Sequence, residues 1–242
     1  MSFKEPHLRP IPASLDCDHC AVRRRCLPAG LDSGDLHSLS EVAVRHERIR
    51  KGQVLYRQGD LFKSLYAIRT GSVKTYGLTE EGEEQITGFH LTGEIVGMDA
   101  IGGKLHPCSA EVLEDTWVCE LPFLKLAELG TRLPSLQREL LNAMGQEIRN
   151  EEHALMLVRG LRAEQRVMRF INSLLHRVRQ RFGNIDEIPL AMTREDIANY
   201  LGLAPETLSR ALAKLRDDGV IRVQLKSIEV LDQDAVERIA NC

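Results

Sequence analysis

The sequence predicts an α+β protein with three successive parts: an N-terminal β-barrel or jelly roll, one long helix, and a C-terminal winged helix-turn-helix domain. Three patterns support this fold class: short strands separated by glycines over residues 45–122, a helical period that begins at Pro134, and two short helices that meet at Gly202. The 242 residues are enough to bury a core without disulfides. We expect parts at 1–30, 31–132, 133–161 and 162–242.

The first part, residues 1–30, contains cysteines with the spacing of metal ligands. Cys17, Cys20 and Cys26 form a C-x2-C-x5-C pattern, and Cys119 is a candidate fourth ligand far along the chain. Thiolates at this spacing bind a single metal ion or an iron-sulfur cluster, and the spacing alone does not choose between them. A distant fourth ligand would tie the segment to a folded domain, so occupancy of the site would control that domain.

The N-terminal residues do not have the pattern of a signal peptide. Lys4, Glu5 and Arg9 interrupt any apolar run after Met1, and no stretch approaches the length that spans a bilayer. We therefore expect a cytoplasmic protein with no membrane partner. Thiols stay reduced in the cytoplasm, where clustered cysteines are more often metal-binding or catalytic than cross-linked.

The second part follows a short helical stretch at 35–43 and reads as a small β domain. Its apolar or alternating segments lie at residues 54–56, 64–68, 73–76, 85–89, 95–97 and 117–121. Glycines separate these segments, as is typical of a barrel or jelly roll built from short strands.

The third part is a single long helix with one apolar seam. Its members recur at threes and fours or their sums: Leu136, Leu140, Met144, Ile148, Leu155 and Val158. A helix of this length would outrun a small barrel, so the seam favours a dimerisation helix over the alternative of packing on its own domain. Glu151 interrupts the seam. Facing its twin at about 4 Å, it would repel by up to about 4 kcal/mol at an effective dielectric of 20, which predicts a weak dimer.

The C-terminal part has the local signals of a helix-turn-helix. Thr193 is a capping residue for the first helix, Gly202 permits the tight turn, and Pro205 opens the second helix. Segments at 220–223 and 227–231 alternate like a hairpin and would form the wing. The alternative for this part is an ordinary three-helix protein-binding domain.

Four residues on the second helix are candidates for reading DNA. Glu206, Thr207, Ser209 and Arg210 lie on its predicted exposed N-terminal half. Arg210 can donate twice to guanine, Glu206 can accept from cytosine, and Ser209 suits a base edge or a phosphate. Residues 162–226 hold twelve Lys or Arg against eight Asp or Glu, whereas 79–99 hold six acids and no Lys or Arg, so the basic third is the better match for phosphate.

Taken together, these parts resemble the FNR (fumarate and nitrate reduction) branch of the CRP/FNR transcription regulators. The resemblance rests on the cysteine pattern with Cys119, the run at 84–91, and the set Glu206-x-x-Ser209-Arg210. It implies a sensor domain at 31–132 and one 4Fe-4S cluster per subunit on Cys17, Cys20, Cys26 and Cys119. It also implies that oxygen degrades the cluster, that the intact cluster promotes homodimerisation and binding to palindromic TTGAT-type double-stranded DNA, and that barrel loops contact RNA polymerase.

Two positions depart from the patterns of the family. Arg25 precedes Cys26 where the FNR branch commonly has an apolar residue that shields the cluster. Cys108 precedes Ser109 where the CRP branch has an arginine for the cyclic phosphate, although Gly93 and Glu94 resemble the start of that phosphate cassette. Without the guanidinium a buried phosphate would be poorly paired, so we expect no cyclic nucleotide.

Two other classes of function remain open at this point. One is the same DNA-binding regulator with a structural zinc at the cysteines and no oxygen sensing. The other is an iron-sulfur electron carrier or enzyme, in which the helix-turn-helix would have no role. No pattern in the chain indicates a substrate pocket or a nucleophile with its base, so the sequence predicts a protein that is not an enzyme.

Overall fold

The computed structural model describes residues 17–45, 48–158 and 161–241, with the backbone alone for residues 25, 45, 153–158, 181, 240 and 241. The N-terminal part consists of turns and two short 3-10 helices, Arg23–Arg25 and Leu27–Gly30, followed by helix α1, Ser33–Val42. The side chain of Asp32 caps α1 by accepting hydrogen bonds of 2.9 Å from the backbone of Gly34 and Asp35. Because of this cap, the helix begins at Ser33, two residues before the start predicted from the sequence.

Within the described residues, eight strands form the sensor domain. They are β1 Val44–Arg45, β2 Val54–Tyr56, β3 Ser64–Thr70, β4 Ser72–Leu78, β5 Glu84–Leu91, β6 Ile95–Val96, β7 Ser109–Val112 and β8 Trp117–Pro122. They pair antiparallel in two four-stranded sheets, ordered β1-β8-β3-β6 and β2-β7-β4-β5. The jelly-roll alternative is therefore confirmed, with two open sheets instead of a closed barrel among the described residues. β1 and β7 were absent from the sequence prediction.

Helices cover one face of the first sheet. Helix α2, Phe123–Arg132, and the long helix α3, Pro134–Val158, follow directly after β8. Leu65 of β3, Leu126 of α2 and Leu136 of α3 are completely buried in one apolar cluster. The first turns of α3 are thus part of the core of their own domain.

The C-terminal domain has the predicted winged helix-turn-helix. Its elements are α4 Ala163–Phe182, β9 Glu187–Pro189, α5 Arg194–Leu201, α6 Pro205–Asp217, β10 Ile221–Val223, β11 Ser227–Val230 and α7 Gln233–Asn241. The Thr193 hydroxyl accepts a 3.0 Å hydrogen bond from the Asp196 backbone and caps α5. Gly202 ends α5 at φ +61°, a left-handed conformation that favours glycine.

One apolar cluster joins the two domains. The core of the C-terminal domain continues into the sensor domain through Tyr76 and Ile86, and through Phe89 and Leu113. The domains therefore pack against each other through a shared interior. No helix within the described ranges is both long and apolar enough to cross a membrane.

Candidate cysteine centre and nucleic-acid interface

The cysteine segment is held in place by α1 and by its own turns. The backbone N–H of Cys17 donates to the Ser40 hydroxyl at 3.0 Å, which fixes the start of the segment on α1. Cys20 donates to the Cys17 carbonyl at 3.4 Å, and Arg23 donates to the Cys20 carbonyl at 3.0 Å. These turns keep the first two cysteines on one short stretch of chain.

Strand β8 brings Cys119 to the same region. Cys119 lies opposite Ala67 of β3 and is partly buried. Cys17, Cys26 and Cys119 all pack against the apolar cluster that contains α1 and the start of α3. Residues about ninety positions apart therefore share one apolar cluster through the sheet, and the shared ligand set stays a prediction.

The other three cysteines all affect the pKa of the Cys26 thiol. Its pKa is raised above the ordinary thiol range first by burial, then by Cys119, with smaller contributions from Cys20 and Cys17. Each of the four cysteines is free of a disulfide. In the described part of the chain, no three His, Cys, Asp or Glu side chains are arranged so that they could hold a metal ion.

The donor set nevertheless suits a thiolate-bound centre. A cation among the four sulfurs would favour the thiolate and reverse the effect that burial and the neighbouring thiols exert on Cys26. Cys17, Cys20, Cys26 and Cys119 are the residues that would hold it. Arg23 pairs with Asp18 at 2.8 Å, an interaction that the sequence analysis missed, and the side chain of Arg25 lies outside the described residues.

The position of the cyclic-nucleotide arginine is filled by a thiol and a carboxylate. Cys108 is 6% exposed, and its Sγ donates to Asp99 at 3.0 Å. Burial, followed by the hydrogen bond to Asp99, raises the pKa of Cys108 above the ordinary range. Glu94, at the start of the cassette, pairs with Arg177 of α4 at 2.9 Å. Cys108 and its partner Asp99 thus offer a thiol and a carboxylate at this position, and neither is a cation.

The candidate DNA-reading residues share one exposed surface of α6. Glu206, Ser209 and Arg210 are exposed, Thr207 is half-buried, and Leu208 beneath them is fully buried. The Arg210 guanidinium donates to the Glu206 carbonyl at 3.4 Å and to the Thr207 hydroxyl at 3.2 Å. The surface can therefore offer a donor fork, a carboxylate and a hydroxyl to one groove.

A residue of α4 that sequence reasoning missed supports this surface. The Arg166 guanidinium donates to the carbonyl of Leu201 at 3.2 Å and to that of Gly202 at 3.4 Å. It thereby binds the end of α5 and the turn that leads to α6. Its only sequence signal is an arginine in a helix rich in arginine, so the role could not be read from the chain.

The predicted dimer seam on α3 divides into two parts. Leu140 is partly buried against the core of its own domain, and Met144 is half-buried. Ile148 is 55% exposed and is available to a second subunit, whereas Glu151, also exposed, lines a cavity between α3 and α4 of its own chain. The side chains of Leu155 and Val158 lie outside the described residues. Partial burial and then Glu147 raise the pKa of Glu151.

Comparison with known proteins identifies the class of both domains. Residues 46–132 match the family model of the cyclic nucleotide-binding domain, and residues 165–239 match that of the Crp-like helix-turn-helix domain. A jelly roll of this type joined to an exposed recognition helix defines a DNA-binding transcription regulator, not an enzyme.

Relatives of known name assign the branch within that class. The chain is 41% identical over 227 residues to the fumarate and nitrate reduction regulatory protein of Escherichia coli (strain K12), covering 94% of this chain and 91% of that protein. The protein of that name from Yersinia pestis matches with the same identity and coverage. The structure of FixK2 from Bradyrhizobium japonicum is similar with a TM-score of 0.73 and 28% identity, covering 82% of this chain and 97% of that one. The chain belongs to the FNR-type regulators of the CRP/FNR family.

Proposed function

We propose that this protein is an oxygen-responsive transcription regulator that works in the cytoplasm under anaerobic conditions. One 4Fe-4S cluster per subunit, held by Cys17, Cys20, Cys26 and Cys119, promotes homodimerisation and binding to palindromic TTGAT-type DNA. Oxygen degrades the cluster and ends DNA binding. The observation that carries the proposal is the packing of Cys17, Cys26 and Cys119 against one apolar cluster, in a chain 41% identical to a regulator named for fumarate and nitrate reduction.

The contact between the cysteine segment and α3 supplies a route from the centre to the dimer. When bound, the cluster supplies a redox centre with a charge of about −2 that oxygen destroys. The segment's last residue, Gly30, approaches α3 so closely that a Cβ there would lie 2.4 Å from the Glu139 carboxylate. Ligation at Cys26 orders the chain up to Gly30, and Gly30 rests on α3. The state of the cysteines is thereby passed to the dimerisation helix.

Exposed residues of α3 make the stability of the dimer sensitive to the state of the cysteines. Ile148 supplies apolar surface, while Glu151 opposes association because its negative charge meets the same charge on the second subunit. A dimer of this kind is marginal without the cluster and stable with it. Each DNA-binding domain then presents Glu206, Ser209 and Arg210 to one half of the palindrome. We expect no cyclic nucleotide to take part, and we propose that loops of the sensor domain contact RNA polymerase.

Anaerobic purification followed by metal analysis tests the proposal. The protein should be brown, contain about four irons and four sulfides per chain, and bleach in air. Cys119→Ser should lose the colour and the iron, whereas Cys108→Ala, a change at another cysteine of the same domain, should retain both. A colourless anaerobic protein with one zinc per chain would overturn the proposal in favour of a CRP-like regulator with a structural zinc.

A further inference from the structure

An edge strand of the sensor domain is covered by the first helix of the helix-turn-helix. β5 is the outer strand of the sheet ordered β2-β7-β4-β5. The side-chain amide of Asn199 in α5 donates to the Glu84 carbonyl at 2.7 Å, and its oxygen accepts from the Ile86 N–H at 2.8 Å. A carboxamide offers one donor and one acceptor as a peptide group does, so Asn199 continues the hydrogen bonding of the sheet by one residue.

Two ion pairs flank this contact. Lys74 of β4, with a side chain 10% exposed, donates to Asp196 of α5 at 3.2 Å. Burial lowers the pKa of Lys74, but Asp196 and two further carboxylates raise it, and together they hold the pKa above its ordinary value. At the other end of β5, Arg177 of α4 pairs with Glu94 at 2.9 Å, both side chains being largely buried. Removal of one member of a buried pair leaves the other charge uncompensated, so each pair favours the geometry in which both members meet.

Aromatic rings fill the space between the polar contacts. Phe89 of β5 lies 6.0 Å from Phe170 of α4 and 5.2 Å from Tyr200 of α5, measured between ring centroids. The two rings of the C-terminal domain are themselves 5.7 Å apart. Three rings in mutual contact resist sliding, because each fits against two others.

The later part of α3 contributes little to this docking. A cavity of about 700 Å³ lies between α3 and the elements α4, β5 and α7, and its lining on α3 comprises Gln146, Glu147, Arg149, Asn150 and Glu151. The orientation of the DNA-binding domain is therefore determined by β4, β5 and the turn at Glu94, and less by the helix that leads into it. The contacts to β4, β5 and Glu94 are therefore the ones that fix the angle of α6 relative to the sensor domain.

We infer that Asn199 and Arg177 are positioning residues for DNA binding, which set the angle of α6 on the sensor domain without touching DNA. The inference rests on the proposed function. In a homodimer held together at α3, these residues determine the distance and direction between the two recognition helices. A rigid arrangement raises the effective concentration of the second helix at its half-site, provided that the spacing of the half-sites matches. Asn199 and Arg177 thus act on the selection of half-site spacing, whereas Arg210 and its neighbours act on base identity.

Binding to three DNA duplexes tests the inference with anaerobically prepared, cluster-loaded protein. The first holds the palindrome at the spacing that the wild type binds best, the second has one extra base pair between the half-sites, and the third has one half-site scrambled. The extra pair moves one half-site by about 3.4 Å and rotates it by roughly a tenth of a turn. Wild type should bind the second duplex about tenfold more weakly than the first.

Asn199→Ala should bind the first duplex about tenfold more weakly than wild type and should distinguish the first two duplexes much less. Its affinity for the third duplex should match that of wild type, which shows that the helix-turn-helix remains folded. Asn184→Ala makes the same chemical change at an exposed residue after α4 and should behave as wild type. Arg177→Gln should repeat the effect of Asn199→Ala, and Arg177→Lys should lie between it and wild type.

Three results would overturn the inference. Tighter binding of the first duplex by Asn199→Ala would show that the docking inhibits DNA binding. An unchanged ratio between the first two duplexes would show that spacing is set elsewhere, and an equal loss on the third duplex would reveal a purely structural role. If the wild type itself does not prefer the palindrome to the scrambled duplex, the proposed function fails, and the inference fails with it.

Discussion

Replacement of Arg210 by alanine separates base reading from folding. The Arg210 side chain is exposed, and in the described part of the chain its guanidinium bonds to α6 itself, at the Glu206 carbonyl and the Thr207 hydroxyl. Loss of an exposed side chain with contacts of this kind changes the free energy of unfolding by less than about 0.5 kcal/mol. The thermal midpoint should therefore stay close to that of wild type.

The effect on DNA should be much larger than the effect on stability. A bidentate pair between arginine and guanine contributes about 1–3 kcal/mol, so the affinity of Arg210→Ala for its site should fall about 5- to 150-fold. Fluorescence anisotropy with the palindrome and with a duplex changed at one guanine measures this directly. Wild type should discriminate between the two duplexes, and the variant should bind both with similar, weaker affinity.

A second arginine on the same helix provides the control. Arg216 has a side chain 57% exposed and pairs with Asp217 near the end of α6. Arg216→Ala removes the same charge from the same helix and should retain the preference for guanine. If Arg210→Ala instead weakens binding equally for every sequence and lowers the salt dependence by about one ion, Arg210 contacts phosphate and the reasoning is wrong.

Three further predictions concern the dimer, the pH response and the cap of α5. Glu151→Ala should strengthen the dimer of cluster-free protein, because it removes a like-charge contact of up to about 4 kcal/mol. The control Glu152→Ala, a change at the exposed neighbouring residue, should leave the dimer unchanged. Unchanged sedimentation of Glu151→Ala would contradict this prediction. Burial lowers the pKa of His106, which is 3% exposed, so its stabilising contribution is present above its unfolded pKa of 6.5 and is lost as the pH falls through the lowered value. Unfolding at pH 7 and pH 5 should show a larger loss for wild type than for His106→Gln, with a slope of at most about 1.4 kcal/mol per pH unit, and equal losses would refute the assignment. Thr193→Ala should cost about 1 kcal/mol and Thr193→Ser much less, since serine keeps the hydroxyl that accepts from Asp196; equal costs would show that the cap does not matter.

The helix-turn-helix could be predicted from the sequence because its signals are local. Thr193, Gly202 and Pro205 act on their own backbone or within one turn, and each lies where the structure starts or ends a helix. The exposed set on α6 follows from the same periodicity, since Leu208 and Leu212 are buried. Local rules suffice where the contacts that decide the structure are a few residues apart.

Strands β1 and β7 could not be predicted in the same way. The sequence of β7, Ser109–Val112, has one strong strand former, and its pairing partners β2 and β4 are far away in the chain. Position between two other strands, not propensity, makes this segment extended. β1 has two residues and depends on β8 for its hydrogen bonds.

The helical period of α3 located the helix but not the partner of each face. Leu136 and Leu140 belong to the seam by spacing, yet both pack on their own domain, whereas Leu141, outside the seam, is 62% exposed. Periodicity reports which residues share a face, and it does not report whether that face meets the same chain or another. Among the described members of the seam, Ile148 is exposed to a second subunit, and Glu151 is exposed at the rim of a cavity toward α4.

Glu94 contacts the C-terminal domain and also lies near the cysteine segment. Its carboxylate holds Arg177 of the DNA-binding domain, and it also lines a cavity of about 340 Å³ together with Cys26 and Glu139. The start of the cassette that would serve a nucleotide in the CRP branch is thus used here within the chain. Cys26 lines one side of this cavity and Glu94 lines another, so the surroundings of the cysteines and the ion pair to the DNA-binding domain lie next to each other. The residue that opens the cassette therefore takes part in the packing between the two domains.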